Sequence, residues 1–345
     1  MNLAQRWIVV IVACGLSLGS LSRSGPQRGA AAGEKPVKEG AQAGDPLPSW
    51  KAGALKKAIV DFVARATDKD SPDYIPAEDR IATFDNDGTL WCEKPTVELV
   101  FTHEKLKAMA AKDRAFQQKQ PFKAAMEGDQ EYLHKAGMKA VLEIVAATHG
   151  DVPQDEFDEE ARAFFKSAKH PKFGATYPGM AYQPMLELLR YLRANGFQTW
   201  ICSGGFMDLM RAMSADAYGI PPQQVIGSSM KKKSLEKDGK RVLYLLGQLL
   251  ALCDQDDKPV EIGLHIGKRP VLAAGNVRSG GDIAMLRYSQ GSKYRSLQLM
   301  VNHDDAEREY AYAEADRASL NAAEKHGWHV VSMKDDWQRV FAFEK

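Results

Sequence analysis

Two aspartates stand two positions apart in the string Phe84-Asp85-Asn86-Asp87-Gly88-Thr89-Leu90-Trp91. Carboxylates this close repel each other unless a cation or a proton lies between them. The pair therefore suits a hard, oxygen-ligated metal such as Mg²⁺ together with an anionic substrate. The preceding run Ile81-Ala82-Thr83-Phe84 is short, apolar and partly β-branched, which predicts a buried strand. Gly88 permits a tight turn where that strand ends. Carboxylates at the carboxyl edge of an open α/β sheet lie where such folds bind ligands. The plainer reading of Asp-Asn-Asp-Gly is a polar turn, since these residues are common turn formers.

The full string resembles the first motif of the haloacid dehalogenase-like superfamily, D-x-D-G-T-[LV], in its phosphoserine phosphatase-like branch. The resemblance implies that Asp85 is a nucleophile toward phosphorus and Asp87 a general acid/base. Three later segments match in order. Ser203, followed by Gly204, resembles the second motif and would hold phosphoryl oxygens. Lys258 resembles the third and would offset charge on the phosphoryl group and Asp85; Lys268 is its rival, at the other end of the same predicted helix. The fourth motif is normally an acidic pair, G-D-x-x-x-D. Here Gly275-Asn276 leads to Asp282, so Asn replaces the first acid and the second lies six positions on. The implied Mg²⁺ set is Asp85, Asp87 through its backbone carbonyl, Asn276 and Asp282, with Asp282 either a direct ligand or one step removed. In the phosphoserine phosphatase-like branch a Glu near the first motif reads a substrate amino group, a role that would fall to Glu93; a helix-terminal acid is its ordinary alternative. His303-Asp304-Asp305 ends another predicted strand and is read either as support for the site or as a helix N-cap.

These residues need a scaffold, and the pattern along the chain predicts an α/β fold: a Rossmann-like parallel sheet core with an inserted helical cap. Residues 48–92 and 178–345 would form the core and 93–177 the cap. In the cap, 97–111, 132–148 and 154–169 read as helices, with no strand among them. In the core, a helix over 51–66 and one over 185–194 precede a strand over 197–202, and 208–218 reads as one helix. A strand over 225–230 is followed by a polar hairpin tip over 231–241 and an apolar arm over 242–252. Lys258–Ile266 is a helix, 270–274 and 297–301 are strands, Asp282 opens a helix, 306–326 is helical and 329–333 is a last strand. Helix–Gly–strand alternation is the mark of right-handed crossovers onto a parallel sheet.

A chain of 345 residues, 44% hydrophobic, can bury a large core, and its net charge of +1 gives no field to attract nucleic acid. Residues 1–24 read as an export signal, with Arg6 ahead of a short apolar run from Trp7 to Leu16, and 25–47 as a flexible linker. The protein is then exported, periplasmic or extracellular. Ile11-Val12-Ala13-Cys14 also resembles a lipoprotein box, which would leave a lipid anchor at Cys14. The other cysteines are Cys92, Cys202 and Cys253; a Cys92–Cys202 bridge and three buried thiols are the two readings, and no zinc spacing is present. The function expected is Mg²⁺-dependent hydrolysis of a small phosphorylated metabolite through an aspartyl-phosphate. The alternatives are a phosphotransferase or phosphomutase of the same fold and a non-catalytic phosphate-binding module.

Overall fold

A computed structural model describes residues 44–278 and 280–344. The proposed signal segment, most of the linker and Cys14 lie outside the described residues. Eight strands among the described residues form one sheet: β1 (Ile81–Phe84), β2 (Val152–Pro153), β3 (Gln198–Phe206), β4 (Val225–Lys237), β5 (Lys240–Ala251), β6 (Leu272–Asn276), β7 (Leu297–Asn302) and β8 (His329–Ser332). Their spatial order is β2-β5-β4-β3-β1-β6-β7-β8. The six strands from β4 to β8 in that order are parallel, while β5 pairs antiparallel with β4 and β2 antiparallel with β5. The chain leaves β1 toward β3 and β4, then returns to the other side of β1 for β6, β7 and β8. The order therefore reverses at β1, and a ligand crevice opens at the carboxyl ends of β3, β1 and β6.

Every residue of β1 and of β6 is buried, as expected of parallel strands covered on both faces. Helix Gln183–Ala194 starts with Pro184 in its first turn and buries Met185, Leu188, Leu189 and Leu192 against the sheet. Between β1 and that helix lie the helices Val97–Lys112, Arg114–Gln117, Phe122–Glu127, Gln130–His149 and Gln154–Ser167. An aromatic layer joins them to the core. Phe101 packs edge-on against Phe157 and Phe164, and His149 packs on Phe206 at 4.6 Å. Burial drives the His149 pKa down to about 3, so this ring packs as a neutral side chain. No helix among the described residues is long and apolar enough to cross a membrane.

Several expectations are corrected. The inserted segment does contain a strand, the two-residue β2, because Pro153 and Val152 add to the outer edge of the long β4–β5 hairpin. Residues 231–237 continue β4, and the hairpin turn is Asp238-Gly239, both at positive φ. Residues 208–218 form two short helices, Met207–Arg211 and Ser214–Tyr218. Residues 306–317 are not helical; the helix is confined to Ala318–His326. Asp305 there folds a turn instead, accepting from the Glu307 and Arg308 amides and pairing with the Arg308 guanidinium. Neither Asp304 nor Asp305 caps a helix starting at Ala306. Asp304 accepts from the Ser332 hydroxyl at 2.6 Å and the Lys334 amide at 3.0 Å.

The hairpin meets the inserted helices through glycine. A Cβ on Gly150, just past helix Gln130–His149, would overlap the Gly247 backbone, and one on Gly247 would lie 2.8 Å from the Ala146 Cβ. A Gly150→Ala variant should lose about 1–3 kcal/mol of stability by prising this helix off β5, as read from urea unfolding. An unchanged unfolding midpoint would mean that this contact is slack.

Candidate active site

Asp85 follows β1 directly, and its amide donates to the Ala274 carbonyl of β6 at 2.9 Å, so the strand ladder itself fixes the residue. The Lys258 ammonium, in the first turn of helix Asp257–Ile266, donates to Asp85 Oδ1 at 2.8 Å and to Asp282 Oδ1 at 2.5 Å. All three side chains are almost fully buried. Burial pulls the Lys258 pKa down, but the charges of Asp282 and Asp85 outweigh it and hold the ammonium well above the ordinary lysine range. Lys268, the rival lysine, reaches the Glu78 carbonyl and Asp79 at the surface and takes no part.

Asn276, the last residue of β6, donates through Nδ2 to Asp85 Oδ2 at 3.1 Å and to the Asp87 carbonyl at 2.8 Å. Its own carbonyl oxygen is buried with no hydrogen-bond partner. Asp282 accepts from the Asn276 amide through Oδ2 at 2.9 Å, so both of its oxygens are engaged, one by a lysine and one by the backbone. Gly275 allows this approach, since a Cβ there would overlap the Asp282 side chain. Of the two places the sequence left open for Asp282, this arrangement matches the one a step removed from an ion: it aims Lys258 and fixes the end of β6.

The donor set bears on a metal. Among the described residues no group of three or more His, Cys, Asp or Glu could hold one. Two oxygens nevertheless converge on the Asn276 amide, Asp85 Oδ2 and the Asp87 carbonyl. Rotating that amide by half a turn would add its orphaned carbonyl oxygen to them, which makes three oxygen donors of the kind Mg²⁺ takes. The residues present fit such an ion at Asp85, the Asp87 carbonyl and Asn276.

Asp87 accepts from the Trp91 indole at 2.9 Å. Burial first, then the charge of Asp85, raises its pKa to about 6. Ser203 lies past the register pair Phe84↔Ile201 by as many residues as Asn86 does, so both leave the sheet on one edge. Its Oγ accepts from the Gly205 amide at 3.2 Å, and the Ser228 hydroxyl donates to the Gly204 carbonyl at 2.7 Å. A register shift between Cys202 and Phe206 shapes this segment, which remains part of β3 and does not follow it.

Glu93 is buried and forms an ion pair with Arg278, beside the fourth motif. The carboxyl that enters the crevice from the inserted helices is another one, Glu98, in the first turn of helix Val97–Lys112. It accepts from the Phe206 amide at 3.2 Å, and a Cβ on Gly205 would collide with it. Burial and the charge of Asp87 raise its pKa to about 8. Sequence reasoning missed Glu98 because a single acid in a helical first turn is an ordinary N-terminal residue. It also missed Tyr218, whose hydroxyl donates to Asn86 Oδ1 at 2.9 Å. The Cys92–Cys202 bridge is not formed. Cys92 donates to Glu309, while Cys202 Sγ lies 3.7 Å from Cys253 Sγ, and all three thiols are free and buried.

The sequence profile of the haloacid dehalogenase-like hydrolases matches residues 82–287, more than half of the chain and the span that holds Asp85, Asp87, Glu98, Ser203, Lys258, Asn276 and Asp282. The chain belongs to this family. Members are typically Mg²⁺-dependent. No curated protein matches the sequence. Among solved structures, the chain is similar to a conserved protein of unknown function from Anaerococcus prevotii DSM 20548 (15% identity, TM-score 0.46, covering 81% of this chain and 91% of that one). It is also similar to a phosphoserine phosphohydrolase-like protein from Francisella tularensis (17%, 0.38, 73% and 94%) and to a substrate-bound phosphoserine phosphatase (16%, 0.33, 72% and 97%).

Asp87, Asp282 and Glu98 hold their protons to about 6, 7 and 8, above the ordinary carboxyl range. For Asp282 the cause is again burial and then the charge of Asp85. A raised folded-state pKa contributes stability that is complete in acid and is lost as pH rises through the raised value. In EDTA the melting temperature should therefore fall by about 3–6 °C between pH ~6.5 and ~8.5. Added Mg²⁺ should recover part of the loss at the higher pH. A flat profile would show that these acids are solvated in solution.

Proposed function

We propose that the protein is a Mg²⁺-dependent phosphomonoesterase that works through an aspartyl-phosphate on Asp85. The observation that carries this reading is the division of labour between the two aspartates. Asp85 is held by Lys258 and Asn276, whereas Asp87, two residues on, keeps a proton near neutrality. A carboxyl held by a lysine ammonium suits a nucleophile, and a neighbouring carboxyl with a raised pKa suits an acid/base. A pure binding module has no use for an attacking carboxylate, which favours the enzyme over that alternative.

In the first step Asp85 attacks phosphorus in line, forming a bond to one carboxylate oxygen as the bond to the leaving alcohol breaks. Asp87 delivers its proton to the departing oxygen, then takes one from the water that opens the acyl phosphate. Ser203 and the Gly204 amide would hold phosphoryl oxygens, and Lys258 would offset their growing charge. Bound at Asp85, the Asp87 carbonyl and Asn276, Mg²⁺ would screen the carboxylate from the phosphate dianion. The inserted helices act as the cap that excludes water, and they bring Glu98 to the leaving-group side.

Glu98 also narrows the substrate class. A carboxyl whose proton is held by burial and by the Asp87 charge gains most from a leaving group that carries positive charge. This favours phospho-amino acids and phosphocholine-like esters over sugar phosphates.

With Mg²⁺, the protein should hydrolyse p-nitrophenyl phosphate. EDTA should abolish the activity, and Asp85→Asn should lower kcat about 1,000-fold or more. Activity that survives Asp85→Asn would sink the mechanism. Glu98→Gln should raise KM for aminoalkyl phosphates about tenfold while leaving KM for an uncharged alkyl phosphate nearly unchanged. An equal change for both would remove Glu98 from substrate selection.

A further inference from the structure

The segment between β7 and helix Ala318–His326 lies beyond the family match, yet it reaches the first motif. His303 leaves the carboxyl end of β7, on the same sheet edge as Asp85. Its ring is fully buried, and Nε2 lies 2.7 Å from the Gly88 carbonyl. A carbonyl only accepts, so the ring donates there. The other nitrogen, Nδ1, faces Glu309 Oε2 at 3.4 Å.

Glu309 is itself fully buried and surrounded by donors. The Cys92 thiol and the Tyr182 hydroxyl donate to Oε1 at 2.8 and 3.3 Å, and the Tyr310 amide donates to Oε2 at 2.6 Å. These donors engage both carboxylate oxygens, and the His303 ring edge lies beside Oε2. Burial pushes the Glu309 pKa up, but the hydrogen bond and charge of His303 and the other donors bring it below the ordinary glutamate value. Tyr312 completes the seat. Its ring stacks on His303 at 4.1 Å and 16°, and its amide donates to the His303 carbonyl at 3.0 Å, closing the loop. Arg308 ties the same loop to the Met333 and Trp337 carbonyls at 2.6 and 3.1 Å.

Gly88 is where this seat meets the catalytic turn. It has φ 73°, and a Cβ there would lie 2.7 Å from the Tyr312 hydroxyl and 3.1 Å from His303 Nε2. The Asp87–Gly88 backbone is therefore held at two successive carbonyls, that of Asp87 by Asn276 and that of Gly88 by His303. We propose that His303 and Glu309 are a positioning pair: His303 anchors the Gly88 carbonyl and so sets where the Asp87 carboxyl points, and Glu309 keeps the ring aimed. The consequence for catalysis rests on the phosphatase reading; the structural role does not.

Two substitutions separate positioning from packing. In His303→Gln the terminal amide can occupy the Nε2 position and still donate to Gly88. In His303→Asn it reaches only as far as Nδ1 and loses that bond. Because the Trp91 indole donates to Asp87 Oδ1, its ¹⁵N–¹H resonance, assigned through Trp91→Phe, reports the placement of Asp87 without any turnover. In the full chain, His303→Asn should shift or broaden this resonance and lower kcat on p-nitrophenyl phosphate about 10- to 100-fold with KM within about twofold. His303→Gln should restore the resonance and most of kcat even if both variants melt at the same lowered temperature. Glu309→Gln should perturb the resonance in the direction of His303→Asn. An unmoved Trp91 resonance in His303→Asn would overturn the proposal, as would losses in the two variants that simply follow their melting temperatures. If the wild-type protein lacks phosphatase activity but the resonance responds as stated, the positioning role stands and the phosphatase reading falls.

Discussion

The rest of the structure is arranged around buried negative charge at a strand-order reversal. Asp85, Asp87, Asp282 and Glu98 converge on one crevice, and Lys258 supplies the ammonium that bridges two of them. Removing a carboxylate from water costs several kcal/mol unless a partner replaces the lost solvation. The fold supplies partners from separate elements: Lys258 from a helix start, the Asn276 side chain and backbone from β6, and the Trp91 indole from the turn itself. Burial and the charge of a neighbouring carboxylate outweigh the partners that remain, which is why three of them carry raised pKa values.

The order of the core elements and the residues around Asp85 could be read from the sequence because they depend on local rules. A four-residue apolar run followed by Asp-x-Asp-Gly fixes a buried parallel strand and its turn, and β1 ends where that pattern says it should. Lys258 was separable from Lys268 because only one end of that helix faces the sheet edge, and the structure puts Lys268 on surface Asp79. What the sequence hid depends on tertiary contact. Residues 306–326 have helical composition throughout, yet the first half is drawn into a loop by Arg308 and Glu309, which also reach Met333, Trp337, Cys92 and Tyr182, 25 or more residues away along the chain. No periodicity could reveal that Glu309 would be buried beneath Cys92 and Tyr182. The Glu93–Arg278 pair was hidden for a similar reason, since Arg278 belongs to a segment nearly two hundred residues later.

The departure at the fourth motif gains a physical meaning from Glu98. Asn in place of Asp at 276 removes one negative charge from the metal side of Asp85. The cap adds an ionisable carboxyl on the opposite side, Glu98, which accepts from the Phe206 amide and whose proton is held by burial and the Asp87 charge. A positive charge arriving with the substrate would, in the proposed reading, favour ionised Glu98, so the negative charge lost at 276 would reappear on the leaving-group side. In the proposed reading, such a site relies less on its metal to organise the ground state and more on the substrate to bring positive charge with it. Asp87 lies between the two. Its proton is held by burial and the Asp85 charge, and a cation arriving beside Glu98 would favour the ionised form just when the leaving oxygen needs that proton. Selecting a cationic leaving group and protonating it would then be one electrostatic event, controlled from the cap.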